Sequence, residues 1–236
     1  TRASVVRLLR EDGRVVGAVV RDELTGREFE TRARVVLGAA GVWTDDILEM
    51  AGAASQHAVR QSKGIHLVVP REAFPSTSAL IARTPTSVLF LLPWGRHWLI
   101  GTTDTDYSGS RSEPQVDEAD VDYLLAEANK WLATPLTKDD VVGIYSGLRP
   151  LLSAGTGEDG TATLSREHAV LRPAPGLVLI AGGKYTTYRV MAADAVDAAV
   201  ASRAEVIQDT VPQSKTDELP LVGAAGYAAA WASRER

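Results

Sequence analysis

Residues 182–189 read Gly-Gly-Lys-Tyr-Thr-Thr-Tyr-Arg and follow an apolar run at 177–181. Gly182 and Gly183 let a backbone approach a ligand closely, and a helix beginning there presents unpaired N–H groups and the positive end of its dipole. Lys184 adds a full charge, and Thr186 and Thr187 add hydroxyl donors. Together they suit an anion or an electron-rich ring. The same residues also read as a strand-to-helix turn with a capping threonine.

Arg149 lies in Tyr-Ser-Gly-Leu-Arg-Pro-Leu, residues 145–151. On a strand, side chains alternate, so Val141, Gly143, Tyr145, Gly147 and Arg149 share one face. The two glycines leave space above the sheet, and the planar fork of Arg149 suits a phosphate or carboxylate placed there. Arg166 supplies a second cation nearby. Either arginine alone reads equally as a surface or ion-paired residue. His66 sits in Lys-Gly-Ile-His-Leu-Val-Val-Pro, residues 63–70, with Ile65, Leu67 and Val69 on the opposite face. Imidazole can take a proton near neutral pH. A hydrogen-bonded structural histidine has the same signature.

Residues 155–160 match G-x-G-x-x-G literally but carry Glu158 and Asp159 in a polar loop that leads to another strand. A dinucleotide loop needs a strand before it, a helix after it and no acid at the pyrophosphate. This segment is read as a surface turn.

The elements that must position these groups alternate between hairpins and helices. Residues 4–9 and 14–20 form a hairpin about Glu11-Asp12-Gly13, and a turn at 24–26 leads to a short strand at 28–31. Residues 33–38 read as a buried strand ending in Ala39-Ala40-Gly41. Thr44 caps a short helix with Asp45 and Asp46 in its first turn. Strands at 64–70, 79–82, 87–92, 98–103 and 141–149 suggest an antiparallel sheet. A helix capped by Asp117 runs to about 132, with an apolar stripe of Val121, Leu124, Leu125 and Ala128. Strands at 169–172 and 177–181 precede a helix that opens at Gly182-Gly183-Lys184 and runs to about 201. A polar linker over 206–221 leads to the start of another helix at 223–231.

Composition bounds the chemistry. The chain has 236 residues, 45% hydrophobic and 23% charged, with a net charge of −5. That balance and the lack of a Lys/Arg run argue against nucleic acid as a partner. With no cysteine, thiol nucleophiles, disulfides and thiolate metal sites are excluded. No segment approaches the ~18 apolar residues of a membrane span. No metal centre is expected.

In order, Lys-Gly-x-His-x-Val-Val-Pro, Pro93-Trp94 with Ile100-Gly101-Thr102-Thr103-Asp104, Tyr-Ser-Gly-Leu-Arg-Pro-Leu, Ser165-Arg166 and Gly-Gly-Lys-Tyr-Thr-Thr-Tyr-Arg resemble the FAD-dependent glycerol-3-phosphate dehydrogenases over residues 5–200. The resemblance implies an α/β fold: part of a glutathione-reductase-like FAD domain with an inserted antiparallel-sheet substrate domain. On that basis residues 1–60 are flavin-domain strands and 61–165 the substrate domain. Residues 166–205 return to the flavin domain, and 206–236 are a linker and the start of a helical domain.

The implied reaction oxidises sn-glycerol 3-phosphate to dihydroxyacetone phosphate, with electrons passing to FAD and then to a membrane quinone. The setting implied is cytoplasmic, peripheral on the inner membrane face, with room for a homodimer. By resemblance His66, Lys184 and Arg149 are catalytic, and Arg149, Arg166 and Lys184 bind substrate. Gly41, Trp43, Gly182, Gly183, Lys184, Thr186 and Thr187 contact FAD, although Ala40 stands where the family carries a threonine. The family's N-terminal strand–glycine loop–helix is not among these residues, so the chain reads as an inactive piece of a longer enzyme. An amine or amino-acid oxidase of similar fold and a non-catalytic binding module are the alternatives.

Overall fold

Asp12 and Gly13 both have positive φ, 48° and 78°, the geometry a tight two-residue hairpin requires. They join β1 (Ala3–Glu11) to β2 (Arg14–Asp22), and β3 (Glu28–Arg32) pairs with the other edge of β2. The chain continues as β4 (Val36–Gly38), α1 (Thr44–Met50), β5 (His57–Pro70), β6 (Leu80–Arg83), β7 (Val88–Trp94), β8 (His97–Gly101) and β9 (Thr105–Asp106). Then come α2 (Glu118–Asn129), β10 (Gly143–Ala154), β11 (His168–Ala174), β12 (Leu177–Gly182), α3 (Tyr188–Ala204) and α4 (Tyr227–Ala232). This is a computed structural model, and it describes residues 1–53, 57–85, 87–154, 166–204 and 211–233. The G-x-G-x-x-G match at 155–160, Ser165 and residues 206–210 of the linker lie outside the described residues.

The chain forms two compact units. The first comprises Thr1–Gly38, Val170–Leu179 and Lys184–Arg236. Here β4 pairs in parallel with the start of β12, Val36 opposite Leu177. Leu177, Val178 and Leu179 are buried, as are Val15 and Val19 of β2 and Ala195 and Ala198 of α3. Gly176 lies so close to the Val15 carbonyl that a side chain there has no room. Val15 N–H in turn donates to the Pro175 carbonyl at 2.9 Å. The buried strand expected over 33–38 is shorter than the sequence suggests, and Leu37 is exposed among the described residues. An apolar run does not by itself say what will cover it.

The second unit comprises Ala39–Ala169 and Ile180–Gly183. Its sheet runs β10-β5-β8-β7-β6, with β9 also paired to β5, and the pairs are antiparallel as expected. One face is dry: Ile65, Leu67 and Val69 of β5, Leu89 and Leu91 of β7, and Trp98 and Ile100 of β8 are at most 1% exposed. The stripe of Val121, Leu124, Leu125 and Ala128 from α2 packs on it. Asp117 and Asp120 close a reciprocal cap at the start of α2, which fixes where that helix begins. It stops at Asn129, short of the expected end. Asn129 then turns its amide back onto Leu136, donating to its carbonyl and accepting from its N–H.

Lys63 of β5 shares the face of Ile65, Leu67 and Val69, and its side chain is 3% exposed. Its ammonium donates to Asp117, to the Gln115 carbonyl at 3.1 Å and to Asp120 at 2.7 Å. Burial opposes its charge, but the bonds to Asp117 and Asp120 outweigh that and hold its pKa above the ordinary lysine value. The strand that carries His66 is thereby tied to the first turn of α2.

Candidate active site

The other face of the sheet carries the chemistry. Alternation along β5 puts Ser62, Gly64 and His66 on it, and alternation along β10 adds Tyr145, Gly147 and Arg149. The register then aligns them: Tyr145 lies opposite His66, Gly147 opposite Gly64, and Arg149 opposite Ser62. On the other side of β5, His66 faces Gly101 of β8.

His66 is held between these neighbours. Its imidazole stacks on the Tyr145 ring with centroids 4.9 Å apart and planes 5° from parallel. On the other side it occupies the space of a missing side chain, since a Cβ at Gly101 would lie 2.7 Å from His66 Cγ. Burial lowers the His66 pKa, and the positive charge of Arg149 lowers it further. The ring is therefore neutral at neutral pH and able to accept a proton. Burial raises the pKa of Tyr145, so its phenol stays protonated.

Arg149 folds back over Gly64, where an added Cβ would lie 2.7 Å from its Cζ. Nη1 donates to Ser62 Oγ and to the Thr103 carbonyl, each at 3.2 Å, and Nη2 donates to Thr102 Oγ1 at 2.9 Å. The fork expected to stand open is thus partly engaged by its own sheet. Of the five N–H groups of a guanidinium, three are used among the described residues. Arg166 is brought to the same cluster by Asp104, whose carboxylate it meets at 2.7 Å. The other Asp104 oxygen accepts from Ser62 Oγ. Burial lowers the Arg149 pKa, Asp104 partly restores it, and Arg166 opposes it. Between Arg149 and the His66–Tyr145 pair lies Gly147, with open space above its backbone. The result is a floor with a neutral base at one end and cations at the other.

Elsewhere in this unit, Gly41 begins a 3-10 turn through Trp43 with φ of 57°. Thr44 is the first residue of α1 rather than its cap, and its hydroxyl donates back to the Gly41 carbonyl at 2.8 Å. Its two acidic neighbours are also engaged: Asp45 accepts from the Val59 N–H, and Asp46 binds Arg111. Arg111 was not singled out from the sequence. It grips Asp46 with both terminal nitrogens at 2.8 and 2.9 Å, and Nη1 also donates to the Val42 carbonyl at 3.3 Å. Trp43 beside it is 44% exposed.

Gly182 and Gly183 have φ of 74° and 79°. A Cβ at Gly182 would lie 2.5 Å from the Glu167 carbonyl, so only glycine fits there. Lys184, Thr186 and Thr187 belong to the first unit and are exposed. Lys184 is extended and does not open the helix directly; a 3-10 turn over Tyr185–Thr187 intervenes before α3. Thr187 Oγ1 donates to the Lys184 carbonyl at 3.0 Å, so its hydroxyl proton serves the turn. The residues to which sequence reading gave no role — Ser62, Gly64, Gly101, Thr102, Asp104 and Arg111 — are small or paired with residues far off in the chain, as Asp104 is with Ser62 and Arg166 and Arg111 with Asp46. The signals available were the alternation of Ser62 and Gly64 with His66 and the resemblance motifs that contain Gly64, Gly101, Thr102 and Asp104.

Comparison with known proteins is consistent with this layout. Glycerol-3-phosphate dehydrogenase 2 of Mycobacterium tuberculosis (strain ATCC 25618 / H37Rv) is 54% identical over 223 residues, covering 94% of this chain and 37% of that protein. The chain thus spans little more than a third of the curated relative it matches. The structure is similar to that of glycerol-3-phosphate dehydrogenase from Bacillus halodurans complexed with FAD, with a TM-score of 0.82 and 33% identity over 98% of this chain and 45% of that one. Glycine oxidase from Bacillus cereus, at 14% identity and TM-score 0.56 over 86% of this chain and 50% of that one, shares the fold. The sequence profile that describes FAD dependent oxidoreductases matches residues 1–202, and on that match the chain belongs to the FAD dependent oxidoreductase family.

Proposed function

We propose that this chain carries the substrate-side residues of an enzyme that oxidises sn-glycerol 3-phosphate to dihydroxyacetone phosphate. The observation that carries the reading is a neutral, stacked His66 facing an open floor at Gly147, with Arg149 and Arg166 gathered beyond it. The M. tuberculosis and B. halodurans relatives, both glycerol-3-phosphate dehydrogenases, support it.

FAD, when bound, supplies the acceptor for the two electrons that leave C2. The family resemblance assigns Gly41, Trp43, Gly182, Gly183, Lys184, Thr186 and Thr187 to it. Their fit rests on the open space above the Gly41 backbone, the exposed lysine ahead of a helix and the exposed Trp43 ring. His66 takes the C2 hydroxyl proton, which turns the alcohol toward a carbonyl as its hydrogen departs with its electron pair. The N–H groups that Arg149 keeps beyond its own sheet, together with Arg166, anchor the phosphate. That remote grip holds C2 at His66, where orientation alone can be worth ~7 kcal/mol. Lys184 is assigned to stabilising negative charge that develops during the reaction.

The same resemblance passes the electrons to a membrane quinone from a cytoplasmic, peripherally bound homodimer. Among the described residues no helix is long and apolar enough to cross a membrane. The test is anaerobic single-turnover bleaching of the flavin in the full-length protein. Glycerol 3-phosphate should bleach it, whereas glycine and N-methylglycine should not. Bleaching by the amino acids alone would replace this reading with an amine oxidase.

A further inference from the structure

Asp104 stands at the centre of the cation cluster, yet neither its charge nor its type marked it in the sequence as a site residue. Its side chain is 1% exposed, while Arg166, its partner, is 43% exposed. A buried carboxylate is retained at a cost unless its oxygens are satisfied, and here each oxygen has a different donor. One accepts from Arg166 and the other from Ser62 Oγ.

The Ser62 bond has a directional consequence. A serine hydroxyl has one proton and two lone pairs. A guanidinium has no acceptor, so Ser62 accepts from Arg149 Nη1 at 3.2 Å and has its one proton for Asp104, which fixes how the hydroxyl is turned toward Arg149. Asp104 therefore sets both guanidinium groups, Arg166 directly and Arg149 through Ser62. Thr102 and Thr103, immediately before it in the chain, supply the other two acceptors for Arg149. One short segment thus fixes where both forks lie.

We propose that Asp104 is a positioning residue for a phosphate monoester: it fixes the relative orientation of Arg149 and Arg166 so that both meet the same anion. This rests on the proposed function above. It adds a claim that simple charge counting contradicts. Removing a negative charge beside two arginines should strengthen anion binding if Asp104 were only a counter-charge. If Asp104 positions the forks, the same change must weaken it, because an amide keeps one acceptor oxygen where the carboxylate has two: its N–H₂ either faces the Arg166 guanidinium, which cannot accept, or turns the Ser62 hydroxyl proton away.

The test is Asp104→Asn in the full-length flavoprotein, with Asp104→Glu as the conservative variant and thermal melting to confirm that both are folded. Inorganic phosphate is titrated calorimetrically, a measurement that does not depend on turnover. Asp104→Asn should weaken phosphate binding at least about tenfold, the scale of one charged hydrogen bond. Asp104→Glu should recover part of the loss. In steady-state assays with glycerol 3-phosphate, the fall in kcat/KM should be carried chiefly by KM. Equal or tighter phosphate binding by a folded Asp104→Asn protein overturns the proposal, as does a wild-type protein that binds no phosphate. Phosphate binding that depends on Asp104 in a protein that does not oxidise glycerol 3-phosphate would leave the positioning role standing and sink only the substrate assignment.

Discussion

The guanidinium of Arg149 occupies the volume that a side chain at Gly64 would fill, so that the two residues are complementary across adjacent strands. Gly64 is needed here for its missing Cβ. Gly64→Ala would push Arg149 off Ser62 and Thr102 toward the open floor at Gly147. The variant should remain folded by circular dichroism and lose at least about tenfold in kcat/KM for glycerol 3-phosphate, the value of one charged hydrogen bond. Unaltered kinetics would mean that Arg149 can serve from another position.

Arg149→Lys tests the fork itself. Lysine keeps the charge but cannot span Ser62, Thr102 and Thr103 while offering N–H groups to a ligand. A loss of roughly 1–3 kcal/mol in transition-state stabilisation is expected from kcat/KM. Kinetics equal to wild type would reduce Arg149 to a structural cation.

His66→Gln keeps a polar group of similar size but cannot take a proton at neutral pH. Flavin reduction in a single turnover should slow at least ~100-fold, the lower end of general-base effects, while inorganic phosphate binding is retained. Reduction at the wild-type rate removes His66 as the base.

The pH dependence has a defined sign. Burial and then Arg149 hold the His66 pKa below its ordinary value, about 6.5. Activity should therefore stay level through neutral pH and fall only as the solution is acidified past that lowered value. Stability follows the same direction. Between the lowered folded pKa and ~6.5 the unfolded chain binds the proton and the folded chain does not, so stability drops as pH falls through that window. Denaturant melts of wild type and His66→Gln at stepped pH should show the acid sensitivity shrinking in the variant; a larger sensitivity would contradict the assignment.

Lys63 gives a prediction about the opposite face. Lys63→Ala leaves Asp120, whose side chain is 6% exposed, without its cation. Breaking a buried pair in this way costs about 3–5 kcal/mol, measurable by denaturant unfolding of the full-length protein. A change within 1 kcal/mol of wild type, on the scale of an exposed pair, would show that water reaches Asp120.

Local geometry made part of this legible. A two-residue period places His66 opposite Ile65, Leu67 and Val69, and Arg149 on one face with Tyr145 and Gly147, wherever the strands end up. Asp12-Gly13 and the Asp117–Asp120 cap are likewise fixed by neighbours in the chain. What local sequence could not show is lateral register. Ser62 meets Asp104 across 42 residues and Arg149 across 87, and Gly101 comes to lie beside His66 only because β8 pairs with β5 where it does. Small residues such as Gly64, Gly101 and Ser62 announce nothing in one dimension, because their value is the space or the single lone pair they offer to a distant partner. Sequence alone determined which side chains could do chemistry and which face each would take. The tertiary structure decided which of them meet, since contacts between strands are set by the whole sheet's pairing and the core packed beneath it.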